Sequence, residues 1–190
     1  MDPQPCLVVT RPAEQAQAWV RDLTAHGVLA VSLPLIDTVP PADDSDLRYW
    51  RAHWPQANVL MFVSGTAVRA FFDATAVAAV PTHTRFWAPG PGTAQALAEA
   101  LPAWGVSPAQ IDAPPIEAEQ FDSEALWAVV HPQVRPGHTV VVVGGGAGRD
   151  WLAERCEAAG ATVHRCVAYA RQAPNPTPAW RAQLLQVQQA

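Results

Sequence analysis

The chain has 190 residues, 49% of them hydrophobic and 15% charged, enough for one large domain or two small ones with real cores. A net charge of −5 argues against a nucleic-acid partner, which calls for a basic face, and no apolar run approaches the length needed to cross a bilayer. The opening Met1-Asp2-Pro3-Gln4-Pro5 has neither the basic flank nor the apolar core of a signal peptide, so the cytoplasm is the expected location and no membrane is expected as a partner.

The first apolar run, Leu7-Val8-Val9, predicts a strand that ends at Thr10-Arg11-Pro12. Ala16, Trp19, Val20 and Leu23 follow at helical spacing, with Pro12 suited to the first helical position, Glu14 to the positive end of the helix dipole and Gly27 to the stop. A second strand is expected over Leu29 to Leu33. Further along, strands are expected over Val59 to Val63, Arg85 to Ala88, Ile111 to Ala113, Thr139 to Val143 and Thr162 to Val167. They alternate with helices over Thr66 to Ala76, Gly92 to Leu101, Asp122 to Val130 and Trp151 to Ala159. Such alternation predicts an α/β fold of parallel sheets with crossover helices.

Pro40-Pro41-Ala42-Asp43-Asp44 and the stretch from Gln172 to Pro178 are rich in proline and weakly apolar, as segments joining compact units are. They divide the chain into lobe 1, residues 1–37 plus 170–190, and lobe 2, residues 38–169. Lobe 1 is then discontinuous and receives only two strands and two helices, the last helix carrying Trp180, Leu184, Leu185 and Val187. A stable parallel sheet usually has more strands and both faces covered, so lobe 1 is expected to be incomplete at its C-terminus.

Parallel α/β units present ligands at the carboxyl ends of their strands, where turns lead into helix N-termini. Four turns qualify: Thr10-Arg11-Pro12, Ser64-Gly65-Thr66, the run from Pro89 to Thr93, and the run from Gly144 to Arg149. Small residues, hydroxyls and arginines there offer donors to an acidic ligand. The Gly144 run fits neither the phosphate loop nor the dinucleotide fingerprint, because Arg149 stands where each needs glycine. Ser64 lacks the nucleophile elbow of a hydrolase, and Ser64 and Thr93 also suit simple helix caps. Cys6, Cys156 and Cys166 form no ligand pattern and read as buried reduced thiols, and the six histidines are dispersed, so no metal is expected. All twelve basic side chains are arginine, as a GC-rich codon bias would produce.

Six short pieces, in order, resemble the signature of the uroporphyrinogen-III synthase family. They are Val9-Thr10-Arg11-Pro12, Phe62 to Val68, Ala88 to Ala94, Phe121 to Leu126, Gly148-Arg149 and Val167 to Arg171. The resemblance implies two flavodoxin-like or Rossmann-like parallel-sheet lobes joined by a two-stranded hinge, with the substrate in the cleft between them. It implies a monomeric, cofactor-free lyase of tetrapyrrole biosynthesis that closes hydroxymethylbilane to uroporphyrinogen III, losing water and inverting ring D. Tyr169 matches a tyrosine thought to assist departure of the hydroxyl. Arg11, Ser64, Gly65, Thr66, Gly92, Thr93, Gly145, Gly146 and Arg149 are the expected substrate contacts. A non-catalytic two-lobed module for a small acidic ligand is the alternative, and a nucleotide-binding α/β protein is a third reading.

Overall fold

A computed structural model describes residues 5–72, 83–146, 148 and 150–189. The chain divides into two compact units, residues 1–39 with 171–190 and residues 40–170. The first unit opens with β1 (Leu7–Val9), α1 (Ala13–Ala25) and β2 (Ala30–Ser32), a single strand-helix-strand turn in which β1 and β2 pair in parallel. Pro12 stands just before α1 and Gly27, at φ +76°, follows its end in the left-handed region that favours glycine. Next comes β3 (Asp37–Val39), which forms a two-stranded sheet with β9 (Ala170–Gln172), at the two places where the chain passes between the units. The unit closes with α7 (Pro178–Gln189), where the Trp180 indole N–H donates to the Pro34 carbonyl at 2.8 Å.

The second unit begins with α2 (Ser45–His53), a helix that the sequence pattern did not reveal. Its two buried residues, Leu47 and Trp50, are three apart, too few to mark a helical stripe beside a proline-rich stretch. Then come β4 (Val59–Phe62), α3 (Gly65–Phe72), β5 (Arg85–Trp87), α4 (Pro91–Ala100) and β6 (Ile111–Asp112). After them follow α5 (Ser123–Val130), β7 (Thr139–Gly144), α6 (Trp151–Ala158) and β8 (Thr162–Val167). The expected helix over Thr66 to Ala76 is described as far as Phe72, and its last four residues lie outside the described range.

All five strands are parallel, in the order β6-β5-β4-β7-β8. Successive residues of β4 face opposite sides, and all four are buried because helices cover both faces. Leu60 and Phe62 pack with Phe86, Val141 and Cys166 against α2, α3 and α4, while Val59 and Met61 pack with Trp87 and Val140 against α5 and α6. The chain therefore winds outward from β4 to β6 along one face and returns to β7 and β8 along the other. The order reverses between β4 and β7, the position where open α/β sheets form a crevice at the carboxyl ends of their strands. Among the described residues, no helix is long and apolar enough to cross a membrane.

Candidate active site

Four segments leave the carboxyl edge of this sheet. Beyond β4 stands Ser64, whose Oγ accepts the backbone N–H of Ala67 at 3.1 Å and so caps α3. Beyond β5, the chain turns at Ala88-Pro89-Gly90 and enters α4 with Pro91 in the first turn and Gly90 as the capping residue. Thr93, read from the sequence as a possible cap, instead sits inside the first turn and is buried, because Pro91 starts the helix two residues earlier. Beyond β7 come Gly145 and Gly146, the latter at φ +76°, where a side chain would be strained. Beyond β8 comes Tyr169, a buried residue with only 4% of its surface exposed.

These segments touch one another across the switch point. The Ser64 hydroxyl and the Tyr169 phenol lie 3.3 Å apart, oxygen to oxygen. A Cβ placed on Gly145 would stand 2.7 Å from the Tyr169 ring, and one on Gly144 would stand 3.0 Å from the Val63 side chain. Glycine at 145 is thus required by the tyrosine and not by its own backbone angles. On the other side, Gly65 faces the first turns of α4, since a Cβ there would meet the Ala96 Cβ at 3.4 Å and the Gly92 carbonyl at 3.6 Å. Ser64, Gly65, Gly92, Gly145 and Tyr169 are therefore neighbours, with Thr66, Thr93 and Gly146 in the same turns. Helices α3 and α4 start here, and first-turn N–H groups without an intrahelical partner, together with the positive ends of the helix dipoles, favour carboxylates.

Arg11 belongs to the other unit, where its guanidinium donates to Gln15 at 3.2 Å and lies 5.1 Å over the Trp19 ring. Arg149 lies outside the described residues. Sequence reasoning gave no role to Phe121, yet its Cβ is 3.2 Å from where a Gly90 Cβ would be, which sets a ring 41% exposed against the turn after β5. The signal was its place in the motif Phe121-Asp122-Ser123. Asp122 caps α5 by accepting the Ala125 N–H at 2.8 Å.

The reactive groups elsewhere in this unit are muted. Burial pushes the Cys156 thiol up to about 11 and the Cys166 thiol up to about 12, so neither is a nucleophile near neutral pH. Arg85 forms a fork with Asp112, its Nε donating at 2.8 Å, and this hydrogen bond raises the guanidinium's already high value while tying β5 to β6. Among the described residues, no group of three or more His, Cys, Asp or Glu could hold a metal ion.

The family model described as uroporphyrinogen-III synthase HemD matches residues 17–188. The chain belongs to the uroporphyrinogen-III synthase family. The family is one of cyclising hydro-lyases, so the chain is an enzyme by descent. Two solved structures of uroporphyrinogen III synthase from Thermus thermophilus have a similar fold. A triple-methionine mutant is 16% identical with a TM-score of 0.56, 97% of this chain matching 67% of that one. The wild-type enzyme is also 16% identical with a TM-score of 0.50, 97% of this chain matching 66% of that one. The chain thus spans about two thirds of the length of these solved relatives. No similar protein is found among curated proteins.

Proposed function

We propose that this chain acts as a uroporphyrinogen-III synthase: it cyclises hydroxymethylbilane to uroporphyrinogen III with loss of water and inversion of ring D, without a cofactor. The observation that carries this reading is the Ser64–Tyr169 hydroxyl pair, 3.3 Å apart at the switch point of a parallel sheet, in a chain of this family. The bilane is a polycarboxylate whose hydroxyl leaves to give an electrophilic azafulvene. Ring D is then attacked at its substituted carbon, a spiro intermediate forms and fragments, and the macrocycle closes. Because the bilane also closes unaided to the uninverted type I isomer, the protein's task is orientation and differential binding of the transition state more than strong acid or base catalysis.

In this reading, backbone N–H groups at Ser64, Gly65 and Thr66, at Gly92 and Thr93, and at Gly145 and Gly146 hold substrate carboxylates without a large positive charge, and Arg11 and Arg149 add charge-assisted contacts. Tyr169 supplies the proton to the departing oxygen. The enzyme is a lyase that works as a monomer in the cytoplasm and takes neither nucleic acid nor membrane as a partner. We take the functional lobes as 1–37 plus 170–190 and 38–169, within two residues of the compact units, and Tyr169 lies at the end of the second. The test is a coupled assay with freshly generated hydroxymethylbilane, scoring type III against type I product beside a buffer control. Type III above the control supports the reading, and the control ratio refutes it. Tyr169→Phe should then lower turnover more than substrate affinity, whereas a pure binding module would show neither effect.

A further inference from the structure

We infer that Phe121 is a ring-binding residue for the same substrate: its phenyl group, seated on Gly90, stacks against one pyrrole ring of the bilane. This deepens the proposed function and rests on it. The contact is to the body of a ring and is separate from the turns that hold carboxylates.

Phe121 ends the segment that runs from β6 to α5, and Asp122 behind it caps α5. The strands are parallel, so α5 starts at the same carboxyl edge as the turns after β4, β5, β7 and β8. The Phe121 Cβ, Cγ and Cδ1 stand 3.2, 3.8 and 4.0 Å from where a Cβ on Gly90 would be. Gly90 is extended, at φ −164°, a conformation that any residue adopts, so glycine suits that position because of the ring and not because of the backbone. The arrangement repeats at Gly145, which leaves room for the ring of Tyr169. Two aromatic rings are thus seated on glycines at one edge of the sheet, and they differ in exposure. Tyr169 is 4% exposed, with its hydroxyl 3.3 Å from that of Ser64, whereas Phe121 is 41% exposed.

Helix packing does not account for that exposure. A residue just before a helix cap often packs on the fourth residue of the helix, here Leu126. Leu126 is wholly buried with Val59, Met61 and Trp87 in a core that does not include Phe121. The space beside the ring is open, since a Cβ on Gly92, two residues after Gly90, would meet nothing within 4 Å. β4 and β5 are adjacent, so Phe121 and Ser64 stand near neighbouring strand ends, on the order of 5–10 Å apart. Adjacent rings of one linear tetrapyrrole span that distance. A phenyl group has no charge and no hydrogen-bond donor, so it recognises a flat aromatic face. The pyrrole rings of the bilane have such faces, and their acid arms do not.

The test is the coupled assay with Ala, Leu and Trp in turn at position 121. Phe121→Ala should raise KM about tenfold with turnover little changed, because a stacking contact is made in the ground state and kept through the reaction. Phe121→Trp should restore KM to within about twofold, and Phe121→Leu, which is apolar but has no ring, should not. Thermal unfolding of Phe121→Ala should stay within about 2 °C of the wild type. A lowered unfolding temperature with KM unchanged would make Phe121 a helix staple and overturn the inference. A loss confined to turnover, or a KM that Leu restores as well as Trp, would overturn it too. Uroporphyrinogen III, titrated under nitrogen into the wild type and into Phe121→Ala, gives a readout without turnover, and its affinity should also fall about tenfold. Equal affinities refute the ring contact. A wild-type chain without type III product above the control would defeat the proposed function, while the titration would still decide the ring contact.

Discussion

The two units use the same strand-helix-strand grammar and end in opposite conditions. In the second unit, five parallel strands lie under helices on both faces, and Leu60 on β4 has no exposed surface. In the first, β1 and β2 form a two-stranded sheet, and Leu7 on β1 is 51% exposed. Trp19, Leu29, Leu35 and Ile36 of the same unit are exposed as well. A strand-helix-strand turn has one apolar side to bury and a parallel strand has two, so the unit with more crossovers closes its core and the smaller one does not. The candidate active-site turns at Ser64, Gly92 and Gly145 all stand on the closed unit, where the Tyr169 ring is buried against Gly145.

One substitution, Leu to Ala, measures this contrast from both ends. Leu60→Ala should destabilise the protein by about 2–5 kcal/mol in urea unfolding, because it empties part of a core shut on both faces. An alkaline titration should come next in size. The thiols of Cys156 and Cys166 ionise near 9.0 in the unfolded chain but only near 11 and 12 in the folded one. The folded state therefore binds more protons above pH 9.0, and stability should fall between about pH 9 and 10 by on the order of 1 kcal/mol per thiol. Replacing both by Ala should flatten the slope, and an unchanged slope would mean the thiols are not shielded.

Gly145→Ala should be intermediate, costing about 1–3 kcal/mol in thermal unfolding because the new methyl must displace the Tyr169 ring. It should also reduce type III formation by more than its loss of folded protein explains, since the phenol moves. Gly92→Ala makes the contrast, because a Cβ there meets nothing within 4 Å and should leave stability near the wild type. The smallest effect should be Leu7→Ala, within about 0.5 kcal/mol. A loss near that of Leu60→Ala would mean that the Leu7 face is covered in solution, and the difference between the units would vanish.

Much of the alternation was legible because the central strands of the second unit are short apolar runs ended by small or proline-rich turns. Val59 to Phe62 and Thr139 to Val143 are the clearest cases. Helix α2 was not legible, since only Leu47 and Trp50 face inward and the tertiary fold, not a stripe, holds it over β8. Thr93 was misread because a hydroxyl near a helix start suits a cap, yet Pro91 had already begun the helix.

The sequence by itself determined that parallel α/β units with small, hydroxyl-bearing turns at their strand ends would form, because apolar periodicity and turn chemistry are local. It also carried the six motifs that resemble one family. Only the tertiary structure decided the strand order β6-β5-β4-β7-β8, and so which turns meet. Ser64 and Tyr169 are 105 residues apart in the chain, and their 3.3 Å contact depends on β4, β7 and β8 lying side by side. That adjacency comes from burying both faces of one sheet at once, a condition no single segment contains.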